Sequence, residues 1–218
     1  MDDLSRRRSR KIWAPLGLAL LALSTTGCMA LATIQYVIHG INVEAEYDGL
    51  VGKRVAVVCR PTVSLEYTNT SVARDISRKV GQRLAANVRK IQVIDPTKVE
   101  IWCDEHSWEE FDEVGQAVDA EMLVAIELDE FGLYSGQTLY QGKATYSLTV
   151  YDMQTKQPVF ERSPPQTMYP PDTGVATSEY QEVEFRRQFV GRLGEEISRF
   201  FYAHDAYADF ARNGLVSQ

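Results

Sequence analysis

The sequence predicts an α/β domain, a mixed sheet of about five strands with helices packed on it in the order β-α-β-α-β-β-β-α, preceded by an amino-terminal signal segment. Three observations carry that expectation. KRVAVVCRP at 53–61 contains an unbroken apolar run, Val55–Cys59, which suits a strand covered on both faces. Val72, Ile76, Val80, Leu84 and Val88 recur every four residues while Arg74, Arg78, Lys79 and Arg83 point elsewhere, the pattern of an amphipathic helix. KATYSLTVYD at 143–152 alternates, with Ala144, Tyr146, Leu148 and Val150 on one face and Lys143, Thr145, Ser147 and Thr149 on the other, as a strand with one solvated face does.

In chain order, residues 1–11 carry a net charge of +3, Ile12–Leu23 are apolar, and Ser-Thr-Thr-Gly-Cys follows. That is the three-part form of a secretory signal peptide over 1–27. Residues 28–50 read as a membrane-proximal tether, 51–212 as a single α/β domain and 213–218 as a tail. Within the domain the first strand ends at Pro61, TVSLEYTNTS is a loop, and Thr70 or Ser71 caps the next helix with Asp75 in its first turn. IQVID at 91–95 is a second strand closed by Pro96. Residues 97–118 read as helical, and Asp119-Ala120 leads into a long strand, EMLVAIELDEFGLY. A turn at 136–137 returns the chain through the alternating strand, MQTKQ turns it again, and PVFER is the last strand. A proline-rich loop spans 163–178, and a final helix over 179–204 carries the stripe Phe185, Phe189, Leu193, Ile197, Phe200 and Phe201.

KRVAVV at 53–58, VARDISRKVGQRLAANV, IQVID, VGQAVDAEMLVAIELDEF and SLTVYDMQTKQPVFE together resemble a group of bacterial envelope proteins. The group comprises the curli-secretion lipoprotein, the lipoprotein activator of penicillin-binding proteins and the amino-terminal domain of the TolB protein. The last segment looks like that group's strand, D-x-x-T-G turn and strand, with Lys156 where Gly is usual. The resemblance covers about residues 51–205. It implies a mixed sheet with helices packed on it, and an assembly or regulatory binding module instead of an enzyme. No binding residue of the group carries over position by position. The long membrane-inserting hairpins of the curli pore are not evident, which disfavours a pore.

Gly27-Cys28 resembles the lipobox of bacterial lipoproteins, in which the cysteine is diacylated and becomes the new amino terminus. Thr26 and Gly27 fit, and Thr25 stands where Leu is usual. Two acyl chains on Cys28 would supply the double anchor that stable membrane attachment needs. The alternative is an uncleaved anchor helix, since no charge occurs from Ile12 through Ile38 and about 20 apolar residues span a bilayer. Both readings place the bulk of the chain in the cell envelope, facing the periplasm. Cutting before Cys28 takes +3 from the chain's −7 and leaves −10. With no basic stripe, a nucleic-acid partner is not expected.

Cys59 and Cys103 can pair in an oxidising compartment, or each can stay a small buried thiol. In CDEHSWEEFDE at 103–113, one helix face would present Cys103, His106 and Glu110, all groups able to ligate zinc. No HExxH or CxxC accompanies them. The competing reading is a solvated acidic face with Trp102, Trp108 and Phe111 turned inward. There is no GxSxG and no phosphate loop, so neither a catalytic residue nor a cofactor is expected.

For binding, SPPQTMYPPDTG combines Pro164, Pro165, Pro170 and Pro171 with Met168 and Tyr169, a preorganised loop with apolar contact area. Tyr134 and Tyr140 around the hairpin turn are a second candidate surface. The plain alternative for the proline loop is a cover carrying the chain to the final helix. The expectation is a lipid-anchored, non-catalytic binding or assembly component partnered by another envelope protein. The alternatives are an envelope hydrolase or metal-dependent enzyme using the 103–113 cluster, and an accessory lipoprotein of an envelope transporter.

Overall fold

The apolar run becomes β1 (Arg54–Pro61), and its alternation organises the molecule. Val55 and Val57 join one core, Ala56 and Val58 another, and all four are buried. The strand is therefore covered on both faces, as its continuous hydrophobicity requires. The structure, a computed structural model, describes residues 42–62 and 66–205. The signal segment, Cys28 and the 213–218 tail lie outside the described residues. Contacts group Glu44–His204 into one unit, and Asn42–Val43 and Asp205 belong to a second.

After β1 come α1 (Glu66–Asn87), β2 (Gln92–Val93), α2 (Pro96–Glu105), α3 (Phe111–Ala117), β3 (Met122–Ser135), β4 (Leu139–Asp152) and β5 (Gln157–Arg162). Two short strands, β6 (Thr167–Tyr169) and β7 (Val175–Ala176), precede α4 (Glu182–Ser198) and a 3₁₀ turn at Arg199–Phe201. The sheet runs β2-β1-β3-β4-β5, with β6 and β7 also paired to β4. β1 is parallel to both β2 and β3, while β3, β4 and β5 are antiparallel, so the sheet is mixed. It has seven strands instead of five because the proline-rich loop contributes two.

The first core packs α1 (Val72, Ile76, Val80, Leu84) and α4 (Phe185, Phe189, Leu193, Ile197) on one face of the sheet. The second packs Val99 of α2 with Phe111 and Val114 of α3 on the other, over Leu123 and Ala125. Gly142 lets α4 lie close on β4, since a Cβ there would stand 2.5 Å from the Phe189 ring. The outer strand β5 carries Pro158 and exposes most of its side chains, including Val159.

Several boundaries differ from expectation. The tether ends earlier than residue 50: Leu50 is fully buried, Tyr47 stacks on Phe160 at 5.3 Å, and Glu46 Oε2 lies 2.9 Å from Arg162 Nε. The single helix read over 97–118 is two. At His106 the backbone turns extended, and its N–H donates to the Trp102 carbonyl (3.1 Å), closing α2. The Glu113 carboxylate then accepts from the Glu110 N–H (3.0 Å) and opens α3. α1 begins at Glu66, before Thr70, and α4 occupies 182–198 of the expected 179–204. Lys156 has φ 58°, so the turn keeps the left-handed geometry that glycine would supply freely. Among the described residues no helix is long and apolar enough to cross a membrane.

Candidate functional site

The site follows from how early β2 stops. Only Arg54 and Val55 find partners in β2, at Gln92 and Val93, and the Ile94 N–H donates once more to the Val55 carbonyl at 2.8 Å. Asp95 then caps α2, its Oδ1 accepting from the Thr97 N–H at 2.9 Å, and Pro96 opens the helix. The chain therefore leaves the sheet after two pairs. On its other side β1 stays paired with β3 through to Pro61 opposite Leu128.

Beyond β2 a crevice of about 570 Å³ opens beside the carboxyl half of β1. α1 contributes Ala73, Arg74 and Ser77 to its walls; α2 contributes Val99, Cys103 and Asp104. Two ion pairs join the helices: Arg74 Nη2 to Asp104 Oδ1 at 2.6 Å, between side chains that line the crevice, and Arg78 with Glu100. Arg60 holds the carboxyl end. Its guanidinium donates to the Glu109 carbonyl (2.6 Å) and Glu127 Oε1 (3.1 Å), and lies 4.3 Å from the Phe111 ring centroid and 5.1 Å from that of Trp108. Such a cation packed on two rings is a fixed wall.

Cys59 and Cys103 both line the crevice, and both are free thiols, so the possible disulfide between them is not formed in the structure. Burial pushes the Cys59 thiol well up. Burial, helped by the Asp104 charge, pushes Cys103 up to about 11. At neutral pH both are protonated, weakly nucleophilic groups.

The expected one-face array of Cys103, His106 and Glu110 does not assemble, because the helix that would have carried it breaks between them. Cys103 sits on α2, His106 caps it, and Glu110 lies at the start of α3. The His106 ring stacks on Trp102 (4.8 Å), with Nδ1 3.0 Å from the Trp102 carbonyl. Among the described residues no three His, Cys, Asp or Glu side chains cluster as metal ligands.

The tyrosine and proline candidates lie on the opposite side of β1 in the sheet order, around β4. Tyr140 is buried and stacks on Phe185 at 5.1 Å; Tyr134 is 46 % exposed, its hydroxyl donating to Glu182 Oε2 at 2.5 Å. Tyr169 packs on Phe185 and Phe189. Pro170 is half-buried, its carbonyl accepting from Gln141 Nε2 at 3.3 Å, and Pro164 is half-buried too. Met168, Pro165 and Pro171 are exposed. Much of the proline segment thus serves as cover over α4 and β4. Arg60, Arg74, Ser77 and Trp108, which shape the crevice, were not singled out as site residues by sequence reading. The one sequence signal for them was Pro96, which opens α2 three residues after β2 has ended.

No family model matches the chain, and no curated protein matches it in sequence. Similar solved structures include a PelC dodecamer from Paraburkholderia phytofirmans (10% identity, 74% of this chain and 95% of that chain, TM-score 0.41). Lipoprotein GNA1162 from Neisseria meningitidis shares 10% identity over 66% of this chain and 97% of that one, with a TM-score of 0.41. The LpoB C-terminal domain from Salmonella enterica shares 12% identity over 62% and 90%, with a TM-score of 0.36.

Proposed function

We propose that this chain is a lipid-anchored component of the bacterial cell envelope that binds another envelope protein and catalyses no reaction. The observation that supports it is the crevice. It lies at the carboxyl end of a parallel strand, where open α/β sheets take ligands, and has the volume of an ordinary binding pocket. Its thiols are held protonated and its arginines are engaged in ion pairs, which suits a recognition surface better than a reaction centre. The Cys28 lipobox reading supplies the anchor.

Two measurements test the reading. Fatty-acid labelling of cells is expected to mark the wild type and not Cys28→Ala, with a mature mass beginning at Cys28. An unlabelled full-length mass would replace the lipid by an Ile12–Ile38 anchor. A photo-crosslinking side chain at Ser107, an exposed residue lining the crevice, is expected to capture one envelope protein in intact cells. No protein adduct from that position would remove the crevice as the binding site.

A further inference from the structure

The crevice also has a backbone pattern. Strand residues direct their N–H and C=O groups alternately to the two sides. The Glu121 N–H donates to the Arg54 carbonyl and the Thr62 N–H to the Leu128 carbonyl, so the even-numbered residues of β1 bond towards β3. The carbonyls of Lys53 and Val55 accept from Gln92 and Ile94, so the odd-numbered residues bond towards β2. β2 has ended by Val57. The N–H and C=O of Val57 and Cys59 and the C=O of Pro61 therefore face the crevice, and among the described residues no strand lies beside them. Pro61 fits the pattern, because its missing N–H falls on the unpaired side, the place a sheet admits proline.

Val57 and Pro61 are buried and Cys59 is half-buried, so much of this strand edge is withdrawn from bulk water. Backbone groups kept from water without partners are costly, and the ligand that satisfies N–H and C=O groups at strand spacing is another strand. Helices supply the side walls: small Ala73 and Ser77 on α1, and Val99 and Cys103 on α2. The Arg74–Asp104 pair is 39 % and 52 % exposed at its side chains, a contact worth little and easily parted.

We propose that an extended segment of a partner polypeptide enters the crevice and adds to the sheet as a strand along Val57–Pro61, held chiefly by main-chain hydrogen bonds. Strand addition supplies affinity through the backbone and selectivity through the flanking walls. Residues small enough to pass Ala73 and Ser77, and β-branched for extended backbone, are the ones it favours. This deepens the binding reading above and rests on it.

The test uses the full-length protein in detergent micelles and an acetylated, fluorescent heptapeptide alternating Thr and Val. Its companion has the same side chains, with backbone N-methylation on alternate residues. The unmethylated peptide is expected to bind and to slow hydrogen exchange at the Val57 and Cys59 amides. N-methylation in the register that faces β1 is expected to weaken binding at least about fivefold. Equal affinity of the two peptides, binding without protection of those amides, or no binding of the unmethylated peptide each overturns strand addition. A Ser107 crosslink to an envelope protein found alongside any of those results leaves the binding reading standing and removes only its mode.

Discussion

Gly142→Ala places a methyl group where space is already taken. A Cβ at this position meets three carbons of the Phe189 ring, the nearest at 2.5 Å. Phe189 is fully buried, stacked on Phe131 at 5.3 Å and on Tyr169 at 6.4 Å, so the ring has aromatic neighbours restricting its retreat. The strand is held too, because Gly142 is paired with Tyr169 of β6. Overpacking of this kind costs about 1–3 kcal/mol. With a urea slope of about 2 kcal/mol/M, the unfolding midpoint should fall by about 0.5–1.5 M. Gly191→Ala is the opposing control. It lies inside α4 with nothing within 4 Å of the added Cβ, so helix propensity should raise stability by about 0.5–1 kcal/mol. Urea melts followed by far-ultraviolet circular dichroism read both variants. An unchanged midpoint for Gly142→Ala, or a loss for Gly191→Ala equal to it, would refute the close approach of α4 to β4.

Lys156→Gly should stabilise the domain by up to about 1 kcal/mol, since it relieves left-handed backbone at φ 58° and gives up only a partly exposed ion pair to Asp112; a thermal melt that falls would contradict this. Alkylation of Cys103 by iodoacetamide, read by peptide mass, should keep rising about tenfold per pH unit up to about pH 11. An ordinary thiol levels off above about 8.5. The sign follows from burial favouring the protonated form, and a plateau near pH 9 would show a thiol that the crevice does not shelter.

The elements with strong local signals were legible. Val55–Val58 announced a doubly covered strand, and the four-residue spacing from Val72 to Val88 announced α1. The D-x-x-T turn was readable even with Lys156 in the glycine position. Long-range pairing was not readable. Thr167–Tyr169 became a strand because Gly142, Lys143 and Ala144 lie beside it, and nothing local in QTMYPP encodes that partner. The break at His106 was missed because the acidic 103–113 segment has helical composition on both sides of it. The crevice itself depended on IQVID pairing over two residues instead of five. Its apolar content predicts a strand but not the point where the chain departs for α2.

The two borders of the sheet have different consequences for crowding of identical copies. β5 is solvent-facing and interrupted by Pro158, which cannot donate to a neighbouring molecule's ladder. The vacant length of β1 lies between two helices. A folded copy cannot bring its own sheet alongside without driving α1 and α2 into those of its neighbour. Edge-to-edge stacking of identical copies along β5 or along the vacant length of β1 is therefore obstructed. A thin, unfolded segment still has access to the β1 edge, so the same border admits a strand while excluding a folded copy.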